Sequence, residues 1–344
     1  MSISVRSFAK INIGLAIGPL RPDGFHALET IYQTVAAHDI IRVDASRGSS
    51  IEIRCRDQRV PCDETNTCYR VADRMLRYWK QRAKVVIQID KRLPVQGGLG
   101  AGSSNAVATM FALEREMRTP LAAEERLRIA AEVGSDLPLF LLGGCVLGVG
   151  RGEQVYPLSD LPPIACVLVT PQVAVSTPQA FRDWDAAVEN EAEDRKLTPP
   201  DSSITLGRFS RSAFEWLSTL GEASTGAHSP GSPGATPEVS GVPAQNGGDR
   251  AETPLLDLVR AGIENDFERV VFPQYPELRG VKRVLEREGC KYASLSGSGS
   301  TLFGLFRSAE RAQKAAERMG AEGLATIVTE TLPRARYREQ MFVS

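Results

Sequence analysis

The sequence contains no GxxxxGK[ST] segment and no GxGxxG segment, so both the Walker phosphate loop and the dinucleotide fingerprint of Rossmann folds are missing. A nucleotide site would need a different loop. Histidine is scarce, with only His26, His38 and His228, which makes a histidine-built metal centre hard to assemble. Any bound metal is then expected to be an oxygen-ligated Mg²⁺, with its ligands left open. None of the six cysteines (Cys55, Cys62, Cys68, Cys145, Cys166, Cys290) falls in a CxxC pair, so the signatures of zinc binding and dithiol exchange are absent. They are expected to be free thiols, several packed as small apolar groups. No run of 18 apolar residues occurs, and the first residues, MSISVRSFAKINIG, lack an apolar signal core. The expectation is a cytoplasmic protein with no membrane association. Nor is there a charge excess: 41 Lys and Arg face 42 Asp and Glu, for a net charge of -1. That gives no general field for nucleic acid, so an anion has to be bound locally.

What is present suits a folded chain of two ordinary domains. The 344 residues are 42% hydrophobic and 24% charged. Residues 1–45 read as four strands, Ile3 to Phe8, Ile11 to Ile17, Leu28 to Val35 and Ile40 to Val43, with a turn at Gly18 to Gly24. A helix fits 65–82, a strand fits 85–89, and helices fit about 104–117 and 121–133. The run at 164–170, IACVLVT, reads as a strand buried on both faces. Between Glu222 and Thr253, Gly, Pro and Ser supply 14 of 32 residues, too polar a stretch to build a core, so it reads as a disordered insertion. Beyond it come helices near 254–270, 277–288 and 308–319, with strands at 292–295, 301–306 and 324–329.

The segment 94–105 carries the strongest chemical signal. A strand, Pro94, four glycines in six positions (Gly97, Gly98, Gly100, Gly102), Ser103 and Ser104, and a helix starting at the serines all coincide. Glycines allow close backbone approach, and the N–H groups and dipole of a helix N-terminus favour an anion. The alternative is a flexible loop capped by a serine. Lys10 lies between two strand-like stretches with no other charge from Arg6 to Arg21, and is either a phosphate or substrate donor or a solvated strand lysine. Asp136 sits between Gly134 and Pro138, where a helix N-cap is expected; near a phosphate loop, a carboxylate there could instead orient or deprotonate an attacking hydroxyl. Phe25 and His26 adjoin at a loop end, able to stack on a flat ring or to serve the fold.

Three separated segments, Ala9 to Ile13, Pro94 to Asn105 and Leu295 to Ser300, resemble in order and spacing the three signature motifs of the GHMP kinases. Arg21 to His26, Asp90 to Pro94, Gly134 to Phe140, Asn66 with Tyr69 to Ala72, and Ser176 to Phe181 are most similar to the members that act on a cytidine-diphosphate-linked methylerythritol in isoprenoid precursor synthesis. The resemblance implies an α+β fold, with an N-terminal ATP-binding domain (1–163) holding a left-handed βαβ crossover and a ferredoxin-like C-terminal domain (164–344). It implies Lys10 and Asp136 as the catalytic pair. ATP would lie on Asn66, Pro94, Gly97, Gly98, Leu99, Gly100, Ala101, Gly102, Ser103 and Ser104, with Mg²⁺. Asn12, Phe25, His26, Thr177, Phe181, Gly297, Ser298 and Gly299 would hold the substrate. Phe25 departs from the usual tyrosine, Ser135 from alanine, and Ser298 and Ser300 make the third motif more polar. Rival expectations are a GHMP kinase for a mevalonate-like or sugar substrate, and a non-catalytic nucleotide-binding regulator.

Overall fold

A computed structural model describes residues 2–195, 209 and 263–343. The insertion expected at 222–253 and the first part of the helix expected at 254–270 lie outside these residues. Strands β1 (Ile3–Leu20) and β2 (His26–Ser46) are long and antiparallel, paired along nearly their whole length. Four short strands were expected from the sequence; two continuous ones are found. The apparent break is a bulge: Phe8 pairs with His38 and Ala9 with Val35, so Ala36 and Ala37 are extra residues on β2. A bulge bends and twists a strand without ending its ladder. Upstream of it Val5 and Phe8 face one core, downstream Ile11 and Ile13 face another, and Lys10 follows directly after it.

Parallel strands β3 (Ile51–Cys55) and β4 (Lys84–Asp90) flank helix α1 (Thr67–Trp79). With β5 (Cys145–Gly150) and β6 (Gln154–Pro157) they complete a six-stranded sheet of order β3–β4–β2–β5–β6, and β1 also pairs with β2. Helices α2 (Ala101–Met117), α3 (Ala123–Val133) and α4 (Leu137–Leu142) join α1 over a core that includes Met75, Met110 and Phe140.

The second sheet starts with β7 (Ala165–Thr170). Then follow α5 (Thr177–Arg195), α6 (Glu268–Gln274), α7 (Pro276–Arg287), β8 (Tyr292–Leu295), β9 (Leu302–Phe306), α8 (Ala309–Ala321) and β10 (Ala325–Glu330). Its order, β10–β7–β9–β8 with antiparallel neighbours, is the ferredoxin-like arrangement. The central strands β7 and β9 are continuous apolar runs, as burial on both faces demands.

The two sheets are tied at the bulge, where Ala37 N donates to Thr329 Oγ1 (2.8 Å) and Val35 bridges Thr331. Helix α9 (Arg334–Gln340) returns to the first core. Tyr337 packs where Gly143 leaves no Cβ and donates to Phe140 O (2.6 Å), and Val5 bridges Phe342. Among the described residues no helix is long and apolar enough to cross a membrane. Cys68, Cys145 and Cys166 are buried free thiols; burial pushes the Cys68 and Cys145 thiols up to about 12.

Candidate active site

The approach to the glycine loop is fixed by Asp39, a fully buried carboxylate on β2. It accepts from Arg92 N, Leu93 N and Lys91 Nζ, each at 2.7 Å. The chain then turns through Gly98 (φ 76°) and Gly100 (φ 66°), a left-handed backbone that favours glycine. At Gly98 a Cβ would overlap the Ser296 carbonyl, and at Gly100 it would lie 2.9 Å from the Phe140 ring. Helix α2 therefore starts at Ala101, three residues before the serine start expected from sequence, with Gly100 as its N-cap and no side-chain cap. The first intrahelical bond runs from Ser104 N to Gly100 O (2.9 Å), so the N–H groups of Ala101, Gly102 and Ser103 belong to the open first turn. That turn and Pro94 to Gly100 line a cavity of about 370 Å³ together with Asn66, Arg59 and Lys91. It is the cradle expected for a nucleotide phosphate chain. A cavity of about 700 Å³ lies elsewhere, between the β2 bulge and β10, and holds none of the glycine-loop residues from Gly97 to Ser103.

Two residues expected at the nucleotide site hold other bonds. Ser104 does not line the cavity: it is 2% exposed and its Oγ lies 2.8 Å from Ser7 Oγ, which also sits 2.6 Å from Asn105 Oδ1. The earlier helix start turns this side chain inward. Asn66 does line the cavity, but its amide is engaged as the N-cap of α1, accepting from Cys68 N (2.8 Å) and donating to Pro61 O (2.6 Å).

Lys10 is 4% exposed and donates to Asn12 Oδ1 (2.6 Å) and to Gly98 O (2.7 Å), while Asp136 Oδ2 stands 3.8 Å away. Burial lowers the Lys10 ammonium from its ordinary value, and the Asp136 carboxylate pulls it back up. Asn12 is in turn held by its donation to Thr30 Oγ1 (2.8 Å), which donates to Gly14 O (2.7 Å). Asp136 precedes α4 in a helical conformation and makes no side-chain cap bond, so the capping alternative has no structural support. A third of its surface is exposed, which leaves one carboxylate face open to a reactant.

The third motif closes over this pair. Ser296 Oγ donates to Gly98 O (2.9 Å) and Thr301 N to Gly97 O (3.2 Å), joining the two loops. Gly297 faces Lys10 and Asn12: a Cβ there would sit 3.5 Å from both Lys10 Nζ and Asn12 Oδ1. Ser298 Oγ shares a 2.6 Å hydrogen bond with Thr177 Oγ1, whereas a Cβ on Gly299 would meet Leu295 and the Gly299 carbonyl lies beside Gly98. Asn265, which the sequence reading missed, donates to Leu295 O and Gly297 O, both at 2.8 Å, and so sets the loop.

The expected aromatic trio is not an open cage. His26 and Phe181 stack directly on each other, 5.2 Å between centroids and 5° between planes, and Phe181 also meets Phe267 edge-on. His26 Nδ1 faces Gly18 O (3.0 Å) and its Nε2 faces Asp185 Oδ1 (3.1 Å). Phe25 is 52% exposed, with the Arg151 guanidinium 5.0 Å from its ring. A base stacking on Phe25 needs no rearrangement; one reaching Phe181 has to part it from His26.

Comparison with known proteins sets the class. The GHMP kinases N terminal domain model matches residues 66–144 and the GHMP kinases C terminal model matches residues 252–325. A relative from Solibacter usitatus (strain Ellin6076), 4-diphosphocytidyl-2-C-methyl-D-erythritol kinase, is 32% identical over 338 residues, covering 97% of this chain and 90% of that protein. The protein of the same name from Prosthecochloris aestuarii (strain DSM 271 / SK 413) is 32% identical over 321 residues, covering 93% and 94%. The crystal structure of a 4-(cytidine 5'-diphospho)-2C-methyl-D-erythritol kinase superposes with a TM-score of 0.68 at 26% identity, over 96% of this chain and 99% of that one. This is a GHMP kinase, an ATP-dependent phosphotransferase, and it belongs to the 4-diphosphocytidyl-2-C-methyl-D-erythritol kinase family.

Proposed function

We propose that this chain transfers the γ-phosphate of ATP to the 2-hydroxyl of 4-diphosphocytidyl-2-C-methyl-D-erythritol, as a cytoplasmic enzyme of isoprenoid precursor synthesis. The observation that carries this reading is the meeting of three distant segments at one point: Lys10 and Asn12 from β1, Gly98 from the glycine loop and Gly297 from the third motif, with Asp136 3.8 Å from the lysine. The division of the chain near residue 163, between β6 and β7, belongs to the same reading.

ATP enters as its magnesium complex. An Mg²⁺ bound with it would offset the charge of the triphosphate; among the described residues no group of three His, Cys, Asp or Glu side chains is placed to hold a metal. The α2 N-terminus and glycine-loop N–H groups hold the phosphates and stabilise charge as it moves. The acceptor hydroxyl gives its proton to Asp136 as its oxygen bonds to the γ-phosphorus, while the bond from that phosphorus to the β–γ bridging oxygen breaks and ADP leaves. Lys10 donates to the transferring group, and positioning supplies much of the rate. Phe25 stacks on the pyrimidine, with His26, Thr177 and Phe181 along the same wall. The test is a coupled ADP-release assay with purified protein and a panel of cytidine-diphosphate-linked and free polyols, mevalonate and homoserine. ADP release only with the cytidine-diphosphate-linked acceptor supports the reading; release only with another acceptor overturns it.

A further inference from the structure

Asp136 lacks the side-chain contact that a residue before a helix usually makes, and two other groups hold its carboxylate. The Tyr32 hydroxyl donates to Oδ1 at 3.1 Å, and Lys10 Nζ lies on the other side, 3.8 Å from Oδ2. Tyr32 comes from β2, directly opposite Asn12 in the β1–β2 register, so the strand pairing that presents the catalytic lysine also presents this phenol. Its ring is 3% exposed. Two glycines make room for it: a Cβ on Gly148 of β5 would overlap the ring, and one on Gly152 in the β5–β6 turn would overlap the hydroxyl. The Lys10 ammonium lies 5.7 Å from the ring centroid, so phenol, lysine and carboxylate are packed as one group.

We propose that Tyr32 is a positioning residue for the phosphoryl transfer, pinning Oδ1 of Asp136 so that Oδ2 is the oxygen that meets the acceptor hydroxyl. The inference rests on the kinase reading above and deepens it. The geometry assigns the two oxygens different work: Oδ1 is spent on a buried donor, and Oδ2 is left for the reacting proton. The donor is permanent, because burial and the adjacent Asp136 carboxylate push the Tyr32 phenol well above its ordinary range, so it stays protonated wherever the enzyme works. The titratable groups facing the pair are Lys10 from β1 and Glu153 from the turn after β5.

The test is Tyr32→Phe, which keeps the ring in its glycine cage and deletes only the oxygen. With ATP and the cytidine-diphosphate-linked acceptor, kcat should fall about 10- to 150-fold, the scale of one hydrogen bond to a charged group. KM for ATP and the melting temperature should stay close to wild type. In combination with Asp136→Asn the two losses should fail to multiply, because the phenol acts through the carboxylate. An unchanged kcat in Tyr32→Phe, or losses that multiply in the double variant, would overturn the positioning role. So would a collapse of melting temperature along with turnover, since the hydroxyl would then be holding the fold. A wild-type protein that ignores this acceptor would sink the kinase reading itself, an outcome visible before any variant is compared.

Discussion

Replacing Asp136 with Asn removes one negative charge and alters the shape of the site very little. Its amide oxygen can still accept from Tyr32, and no cap bond exists to be lost. Two unit charges about 4 Å apart attract by about 4 kcal/mol at an effective dielectric of about 20. Asp136 is a third exposed and the pair stands 3.8 Å apart, so water screening brings its share of stability down to about 1–2 kcal/mol. Melting should therefore shift by only a few degrees. Turnover should fall much further, by about 10²–10⁴-fold, because the acceptor proton has lost its base. ATP binding should barely change, since the glycine loop does not touch the substituted group. If Asp136 merely began α4, Asn would serve as well as Asp and both numbers would stay near wild type. Steady-state kinetics, ATP titration and a melting curve on this one variant separate the cases, and near-normal turnover refutes the catalytic assignment.

Three further outcomes follow from the geometry. Gly98→Ala puts a side chain into a left-handed backbone position, costing about 1–2 kcal/mol, and drives it into the Ser296 carbonyl; melting temperature and ATP affinity should both drop, and an unchanged ATP titration would contradict the contact between the second and third motifs. Phe25→Ala removes an exposed stacking face and should weaken acceptor binding by about 1–3 kcal/mol while leaving KM for ATP alone, as a KM comparison for the two substrates would read. Burial raises the Asp266 carboxyl from 3.8 to about 6, opposed by the hydrogen bond from Ile17 N. The folded state thus holds more protons than the unfolded one between these values, so this group's contribution to stability declines as pH rises from about 4 to 6. Asp266→Asn, whose amide oxygen can still accept from Ile17 N, should remove that decline, of order 3 kcal/mol, in denaturant titrations across the window.

The glycine loop and the ferredoxin-like half were legible because their signals are local. Four glycines, a proline and a helix start lie within a dozen residues, and the apolar runs at 165–170 and 302–306 declare central strands. Ser104 was misplaced because direction on a helix depends on where the helix begins: a three-residue shift in start leaves the sequence pattern intact and changes which serine faces the cavity. The residues that were missed, Asp39, Tyr32 and Asn265, act across long separations in the chain. Tyr32 meets Asp136 from 104 residues away, and Asp39 holds the backbone 53 and 54 residues on. Strand period 2 does put Tyr32 in phase with Thr30 and Thr34 on β2, a stripe of hydroxyl-bearing residues that would have marked the site side once the β1–β2 register was known. The bulge hid two long strands as four short ones, since Lys10 on β1 and His38 and Asp39 on β2 interrupt the apolar pattern beside it.

The most direct measurement is phosphorus NMR of the product formed from ATP and 4-diphosphocytidyl-2-C-methyl-D-erythritol. Carbon 2 of the methylerythritol unit is tertiary and carries no hydrogen, so a phosphate transferred to its hydroxyl has no proton on the attached carbon to split its signal. The proposed function requires one new phosphomonoester resonance, unsplit by protons, growing in step with ADP. A resonance split by neighbouring protons would place the phosphate on a primary or secondary hydroxyl, and growth of ADP with free phosphate alone would show hydrolysis; either result contradicts transfer to the 2-hydroxyl.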